Sequence, residues 1–362
     1  MRVKGHHWRS IWPCDDQRAF EVIDQRVLPH RFETLRVSSV PAACQAIADM
    51  TVRGAPLIGV TGAYGLALQA TTQASDAELT AAAHQVKRSR PTAVNLAWAV
   101  DRTLEALLAL PIAQRPPAAW RLAAELADAD VATNAAIGRH GLPLLRALAE
   151  RAGRRRLNIL THCNAGWIAT VDWGTALSPI YQAASADIDV HVWVDETRPR
   201  NQGASLTAWE LREQGIACTV IADNAGGHLM QHGQVDAVIV GCDRVTARGD
   251  VCNKIGTYLK ALAAHDNGVP FYVAMPMSTL DSRLHDGLRE IPIEERSARE
   301  VTHLRGKAAD GTDAEIQLVP DGTAAANPAF DVTPARLVTA LITERGVAPA
   351  TEAGIRTLLA AR

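Results

Sequence analysis

The sequence predicts an α/β protein in which a small N-terminal antiparallel sheet and a helical bundle precede a doubly wound parallel-sheet domain. Three observations carry this. Apolar runs of strand length recur after Arg154 with helix-length segments between them, Ala and Leu recur at helical spacing from Ala42 to Leu108, and short β-branched runs precede both. A chain of 362 residues exceeds the usual single-domain size. The expected division is a sheet-and-helix domain over 1–125 and the doubly wound domain over 126–362.

Taken in order, Phe20-Glu21-Val22-Ile23-Asp24 and Leu35-Arg36-Val37 lie on either side of Pro29 and suggest a small antiparallel element. The helical stretch that follows is interrupted by Arg53-Gly54-Ala55-Pro56. Pro111 to Pro117 reads as a loop before a long helix, Ala118 to Gly153, that connects the halves. Then come the strand candidates Leu157–Leu160, Val190–Val194, Ala217–Ile221, Ala237–Val240 and Phe271–Ala274. Alternation of strand and helix implies a parallel sheet with right-handed crossovers. Gly215 and Gly268 terminate helices expected over Leu206–Gln214 and Asn253–Asp266. The glycines Gly59, Gly62 and Gly65 have the wrong spacing for a dinucleotide loop and follow no strand, so they read as helix-packing positions.

Composition bounds the function. With 48% hydrophobic and 21% charged residues the chain reads as folded, and a net charge of -2 gives no global reason to expect nucleic acid or a membrane surface as partner. A small anion needs only a few local cations. Met1 to Ser10 is polar and basic with no apolar stretch after it, and no apolar run is long enough for a bilayer, so a cytoplasmic protein is expected. The six cysteines are scattered without a Cys-x-x-Cys pair and read as reduced thiols, with neither a zinc site nor a disulfide framework.

In an open parallel sheet, ligands bind beyond the carboxyl ends of the strands. Cys163 lies there, in Thr161-His162-Cys163-Asn164-Ala165-Gly166; it is either an activated thiol or a small buried hydrophobe. Asp243, between Gly241 and Arg244, is either a carboxyl with a raised pKa for proton transfer or a structural cap or ion-pair partner. Asn253 and Lys254 are read as opening a helix, where a phosphate would meet helix N–H groups and a cation, against the plainer reading of a solvated Lys. Arg53-Gly54-Ala55 offers a second anion contact and Arg90 a third, although Gly54 also suits an ordinary turn. His162 and His228 lack partners at metal-ligand spacing and read as hydrogen-bonded structural histidines. These groups together point to a phosphorylated small molecule and acid–base chemistry.

Long ordered motifs then carry a resemblance. The Cys163 motif, Asp195-Glu196-Thr197-Arg198-Pro199 with Gln202-Gly203-Ala204, Leu206-Thr207-Ala208-Trp209-Glu210, Asp243-Arg244, and Asn253-Lys254-Ile255-Gly256-Thr257-Tyr258 resemble those of the methylthioribose-1-phosphate isomerases. So do Arg53-Gly54-Ala55-Pro56, Arg90-Pro91-Thr92-Ala93-Val94-Asn95 and Asn327-Pro328-Ala329-Phe330. The likeness runs from about Asp24 to Gly346, nearly the whole chain.

That resemblance implies a Rossmann-like second domain, a homodimer, no cofactor, no metal, and a reaction of methionine salvage that turns an aldose 1-phosphate into a ketose 1-phosphate. It implies Asp243 as proton donor and Cys163 as the group that stabilises the transition state. Arg53, Gly54, Ala55, Arg90, Gln202, Asn253 and Lys254 are the implied substrate-binding positions. Trp167-Ile168, Arg200-Asn201, Cys242 and Asn224-Ala225-Gly226-Gly227 depart from the family pattern. Expected close to the site, they bear on the sugar's 5-substituent, leaving 5-deoxyribose 1-phosphate or ribose 1,5-bisphosphate as alternative substrates. The regulatory subunits of the exchange factor that recycles eukaryotic initiation factor two share the fold, which makes a non-catalytic binding subunit the second alternative.

Overall fold

A seven-stranded sheet organises the second half of the computed structural model, which describes residues 1–91, 93–153 and 156–361. Its spatial order is Gly346–Ala348, Ala340–Thr343, Phe271–Ala274, Ala237–Val240, Arg156–Thr161, Asp189–Asp195 and Ala217–Ile221. All neighbours pair in parallel except Gly346–Ala348, which runs antiparallel to Ala340–Thr343. Numbered along the chain, the six parallel strands stand in the order 3-2-1-4-5-6, so the winding reverses between Arg156–Thr161 and Ala237–Val240. Every residue of Ala237–Val240, Phe271–Ala274 and Ala340–Thr343 is buried, as expected where helices cover both faces of a parallel sheet. All five anticipated strands are present; Ala340–Thr343 was not anticipated.

Ahead of this sheet, Ile11–Pro13, Phe20–Ile23 and Thr34–Val37 form a three-stranded antiparallel sheet in which Phe20 faces Val37. Four helices follow, Val40–Ala48, Ala55–Thr72, Asp76–Arg88 and Val94–Leu108. The second is buried almost all round, which explains its lack of an amphipathic pattern. A Cβ on Gly62 would lie 2.7 Å from Leu96 Cδ1 and one on Gly59 3.3 Å from Ala99 Cβ, so these two glycines serve close packing against the helix Val94–Leu108, while Gly65 faces Ala43 and Val86 of the neighbouring helices.

The connecting helix runs from Arg115 to Ala152, three residues longer at its start than expected. Pro116 and Pro117 sit in its first turn, where a missing N–H breaks no intrahelical bond, so the prolines open the helix instead of forming a loop. Its early residues Ala119, Trp120 and Ala123 pack in the N-terminal core. Ile137, Leu145 and Leu148, further along, pack against the parallel sheet. One element thus belongs to both cores.

A four-stranded sheet of Leu280–Asp281, Arg244–Thr246, Val251–Lys254 and Phe330–Thr333 corrects the reading of Asn253 and Lys254. They end a buried strand, and the helix begins only at Thr257. The helix start is not open to a phosphate, because Asp331 accepts the N–H groups of Gly256 at 2.7 Å and Tyr258 at 3.1 Å. Among the described residues no helix is long and apolar enough to cross a membrane.

Candidate active site

The loops after Arg156–Thr161 and Ala237–Val240 diverge at the reversal of the winding, the crevice where doubly wound sheets bind ligands. The start of the helix Ala55–Thr72 reaches the same cleft from the other half of the chain. All nine residues singled out from the sequence line it: Arg53, Gly54, Ala55, Arg90, Cys163, Gln202, Asp243, Asn253 and Lys254. Thr92, within the Arg90 motif, lies outside the described residues.

Cys163 is clamped through its backbone. It sits in the left-handed region at φ 65°, its N–H donates to Thr197 Oγ1 at 2.8 Å, and its carbonyl accepts from Thr207 Oγ1 at 2.7 Å. Beneath it His162 is wholly buried, with Nδ1 2.8 Å from Asp195 Oδ2 and Nε2 2.8 Å from the Ile255 carbonyl, a structural histidine as expected. His228 differs: it is exposed and packs on the ring of His232 at 4.2 Å.

Asp243 precedes a strand, not a helix, and donates its N–H to the Cys252 carbonyl at 2.9 Å. Its carboxyl makes no hydrogen bond to any described residue. Only a rim reaches solvent, and burial raises its pKa above the ordinary Asp value, although Lys254, Arg90 and Arg53 oppose the shift. A shift in this direction moves a carboxyl towards the range in which general acids work. The neighbouring thiols of Cys242 and Cys252 are pushed up by burial, Cys252 to about 12.

Opposite these groups is a set of cations. Lys254 Nζ donates to the Ala329 carbonyl at 2.9 Å and lies 4.4 Å from the Phe330 ring centre, and burial lowers its pKa. Burial also lowers that of Arg90, whose Nη2 is 3.9 Å from Glu294 Oε2 and whose buried Nε has no hydrogen-bond partner among the described residues. Gln202 Oε1 is likewise buried and unpartnered. An orphaned buried donor or acceptor costs ~1–3 kcal/mol, so Arg90 Nε and Gln202 Oε1 are placed to bond a polar ligand, and the cations beside them favour a negative one.

Gly54 completes the anion side at φ 96°, leading into a helix whose first turn has no side-chain cap and no acidic residue. A Cβ there would stand 2.1 Å from the Ala169 carbonyl oxygen. Gly54→Ala is therefore expected to lower stability by ~2 kcal/mol and to weaken substrate binding. A denaturant midpoint equal to that of the unaltered protein would contradict this.

Three groups at the site escaped the sequence reading. Glu294 faces Arg90, and Glu210 is wholly buried behind Asn164, where burial pushes its carboxyl up to about 7 against three donated hydrogen bonds. Lys260 Nζ lies 3.2 Å from Asp195 Oδ2 and donates to the Asp223 carbonyl. His162, Asp195 and Asp223 bring three potential metal ligands together, and the Lys260 ammonium supplies positive charge there. An acidic residue inside an otherwise apolar helical turn, Ala208-Trp209-Glu210-Leu211, was the available signal for Glu210. Of the departures from the family pattern only Cys242 lines the cleft; Trp167 and Ile168 are core residues facing the other way, packed near Trp209. Arg200 pairs with Glu300 at 2.8 Å in an adjoining groove.

Comparison with known proteins places this geometry in context. A family model described as the initiation factor 2 subunit family matches residues 51–350. The methylthioribose-1-phosphate isomerase of Paramagnetospirillum magneticum is 58% identical over 362 residues, 100% of both chains. Among solved structures, the 5-methylthioribose 1-phosphate isomerase of Pyrococcus horikoshii OT3 aligns with a TM-score of 0.85 and 37% identity over 100% of both chains. The delta subunit of translation initiation factor eIF-2B from A. fulgidus aligns with a TM-score of 0.81 and 39% identity, covering 98% of this chain and 99% of that one.

Proposed function

This chain belongs to the initiation factor 2 subunit family, and we propose that it is the aldose–ketose isomerase that converts 5-methylthioribose 1-phosphate to 5-methylthioribulose 1-phosphate in methionine salvage. The observation that carries the reading is the Asp243 carboxyl, with no hydrogen-bond partner among the described residues and a raised pKa, beside buried cations with an unfilled donor on Arg90. An aldose 1-phosphate needs both. Its phosphate blocks spontaneous ring opening, so an acid must protonate the ring oxygen as the C1–O bond breaks.

In this reading Asp243 gives that proton and its carboxylate then takes the one released from the C2 hydroxyl, while one hydrogen moves from C2 to C1. The balance is a proton from O2 to the ring oxygen and a hydrogen between adjacent carbons, with no change in overall oxidation state, so no redox cofactor is needed. Cys163 stabilises the transition state at the C1–C2 face, and Arg53, Gly54, Ala55, Arg90 and Lys254 hold the phosphate. Gln202 and Asn253 are assigned to the sugar hydroxyls.

The 5-substituent follows from charge. Ile291, Pro292 and Phe330 give the cleft an apolar wall. In the adjoining groove Arg26, Arg200, Arg299 and Arg305 are each already paired with a carboxylate. That argues for a methylthio or deoxy sugar over a 1,5-bisphosphate. A non-catalytic subunit would have no use for a partnerless buried carboxyl.

Incubation with 5-methylthioribose 1-phosphate, 5-deoxyribose 1-phosphate and ribose 1,5-bisphosphate, followed by NMR, is expected to give ketose from the first two in preference to the third, with activity surviving EDTA. No ketose from either 1-monophosphate would sink the assignment. The same reading makes the protein a cytoplasmic homodimer; a monomeric mass by light scattering would remove the dimer.

A further inference from the structure

Arg53 carries its guanidinium on a flexible stem, and a binding site gains from fixing such a group before the ligand arrives. Here both terminal nitrogens are engaged: Nη1 donates to Asn164 Oδ1 at 2.5 Å and Nη2 to the Asn164 carbonyl at 2.7 Å. The first bond requires the Asn164 amide to point its oxygen at Arg53 and its nitrogen away. That nitrogen donates to Glu210 Oε1 and to Thr207 Oγ1, the latter at 3.1 Å. Thr207 spends its own proton on the Cys163 carbonyl, so towards Asn164 it can only accept.

Glu210 is completely buried and does not line the cleft. Its other oxygen accepts the Trp167 N–H and the Tyr181 hydroxyl, each at 2.7 Å. All three hydrogen-bond partners donate to this carboxyl, and in its ionised form it is an acceptor-only group among donors that sets the polarity of everything attached to it. Gly166 makes room: a Cβ there would lie 2.0 Å from Glu210 Oε2. The motif Leu206-Thr207-Ala208-Trp209-Glu210 therefore supplies two members of a relay that ends at Arg53 and touches the Cys163 loop.

We propose that Glu210 is a positioning residue for phosphate recognition: acting through Asn164, it fixes the Arg53 guanidinium at the anion side of the cleft. The proposal rests on the reading that Arg53 contacts the substrate phosphate. In Glu210→Gln the retained oxygen still serves Trp167 and Tyr181, but an amide NH2 now faces the Asn164 NH2. Asn164 resolves that clash by turning over, which presents a donor to Arg53.

The test is a double-mutant cycle on KM and kcat for 5-methylthioribose 1-phosphate. Glu210→Gln is expected to raise KM ~10-fold, equivalent to ~1.4 kcal/mol, with kcat changed by less than ~3-fold, the pattern of a lost binding interaction. Arg53→Ala raises KM at least as much, and the double variant is no worse than Arg53→Ala alone. Multiplying effects would show that Glu210 acts independently of Arg53 and overturn the proposal. An unchanged KM in Glu210→Gln beside a raised KM in Arg53→Ala overturns the relay and leaves the phosphate reading standing. An unchanged KM in Arg53→Ala overturns that reading and the relay with it. If Glu210→Gln does not fold, Asn164→Ala carries the same cycle, since it cuts the relay but leaves Glu210 its bonds to Trp167 and Tyr181; an unchanged KM there also overturns the proposal.

Discussion

Asp243→Asn is expected to lower kcat by ~10³-fold or more, within the range that a positioned general acid contributes, while the protein unfolds at its usual temperature. The fold tolerates the change because the carboxyl makes no hydrogen bond to any described residue and the backbone bond to Cys252 remains. Turnover does not, because an amide cannot pass a proton to the ring oxygen and recover one from O2. The pH dependence follows from the same burial. Asp243 is needed protonated at the first step and its pKa is raised, so kcat should fall as pH rises through that raised value. A bound phosphate adds negative charge nearby and moves the limb further up in the complex. That limb should vanish from the residual activity of the variant; retained turnover with an unchanged profile would remove Asp243 from the mechanism.

Cys163→Ala is expected to cost ~10²-fold in kcat, comparable to removing one group that stabilises developing charge, with KM little changed. Its φ of 65° is no harder for Ala than for Cys, since both carry a single Cβ. The two bonds that hold the loop, to Thr197 and Thr207, use backbone atoms that the substitution keeps. Sulfur is all that leaves the cleft, so undiminished kcat measured by ketose formation would show that the thiol takes no part. A lower kcat accompanied by a lower unfolding temperature would instead assign Cys163 to the core.

Much of this was legible in the sequence where signals were local. Ala217–Ile221, Ala237–Val240 and Phe271–Ala274 begin and end where their apolar runs do, and the residues just past Arg156–Thr161, Ala237–Val240 and Phe271–Ala274 gather in one cleft. What escaped depends on partners far along the chain. Val251–Lys254 is a strand because Phe330–Thr333 pairs with it, and Asp331, not a local residue, caps the helix after Gly256. Lys254 is consequently a buried cation under Phe330 and not a solvated one at a helix start. Pro116 and Pro117 were misread as loop because a proline pair marks a break in the chain and a helix opening equally well. Glu210 stands in the motif Leu206-Thr207-Ala208-Trp209-Glu210, but its role appears only when Asn164, Trp167 and Tyr181 converge on it.

The most direct test of the central claim is a crystal structure of the Asp243→Asn protein soaked with 5-methylthioribose 1-phosphate. The account predicts the phosphate against Arg53, Gly54 and Ala55 with the Arg90 Nε now hydrogen-bonded, and the furanose oxygen within hydrogen-bonding distance of the residue 243 amide. A sugar phosphate bound with its ring away from that side chain, or its phosphate away from those cations, would contradict it.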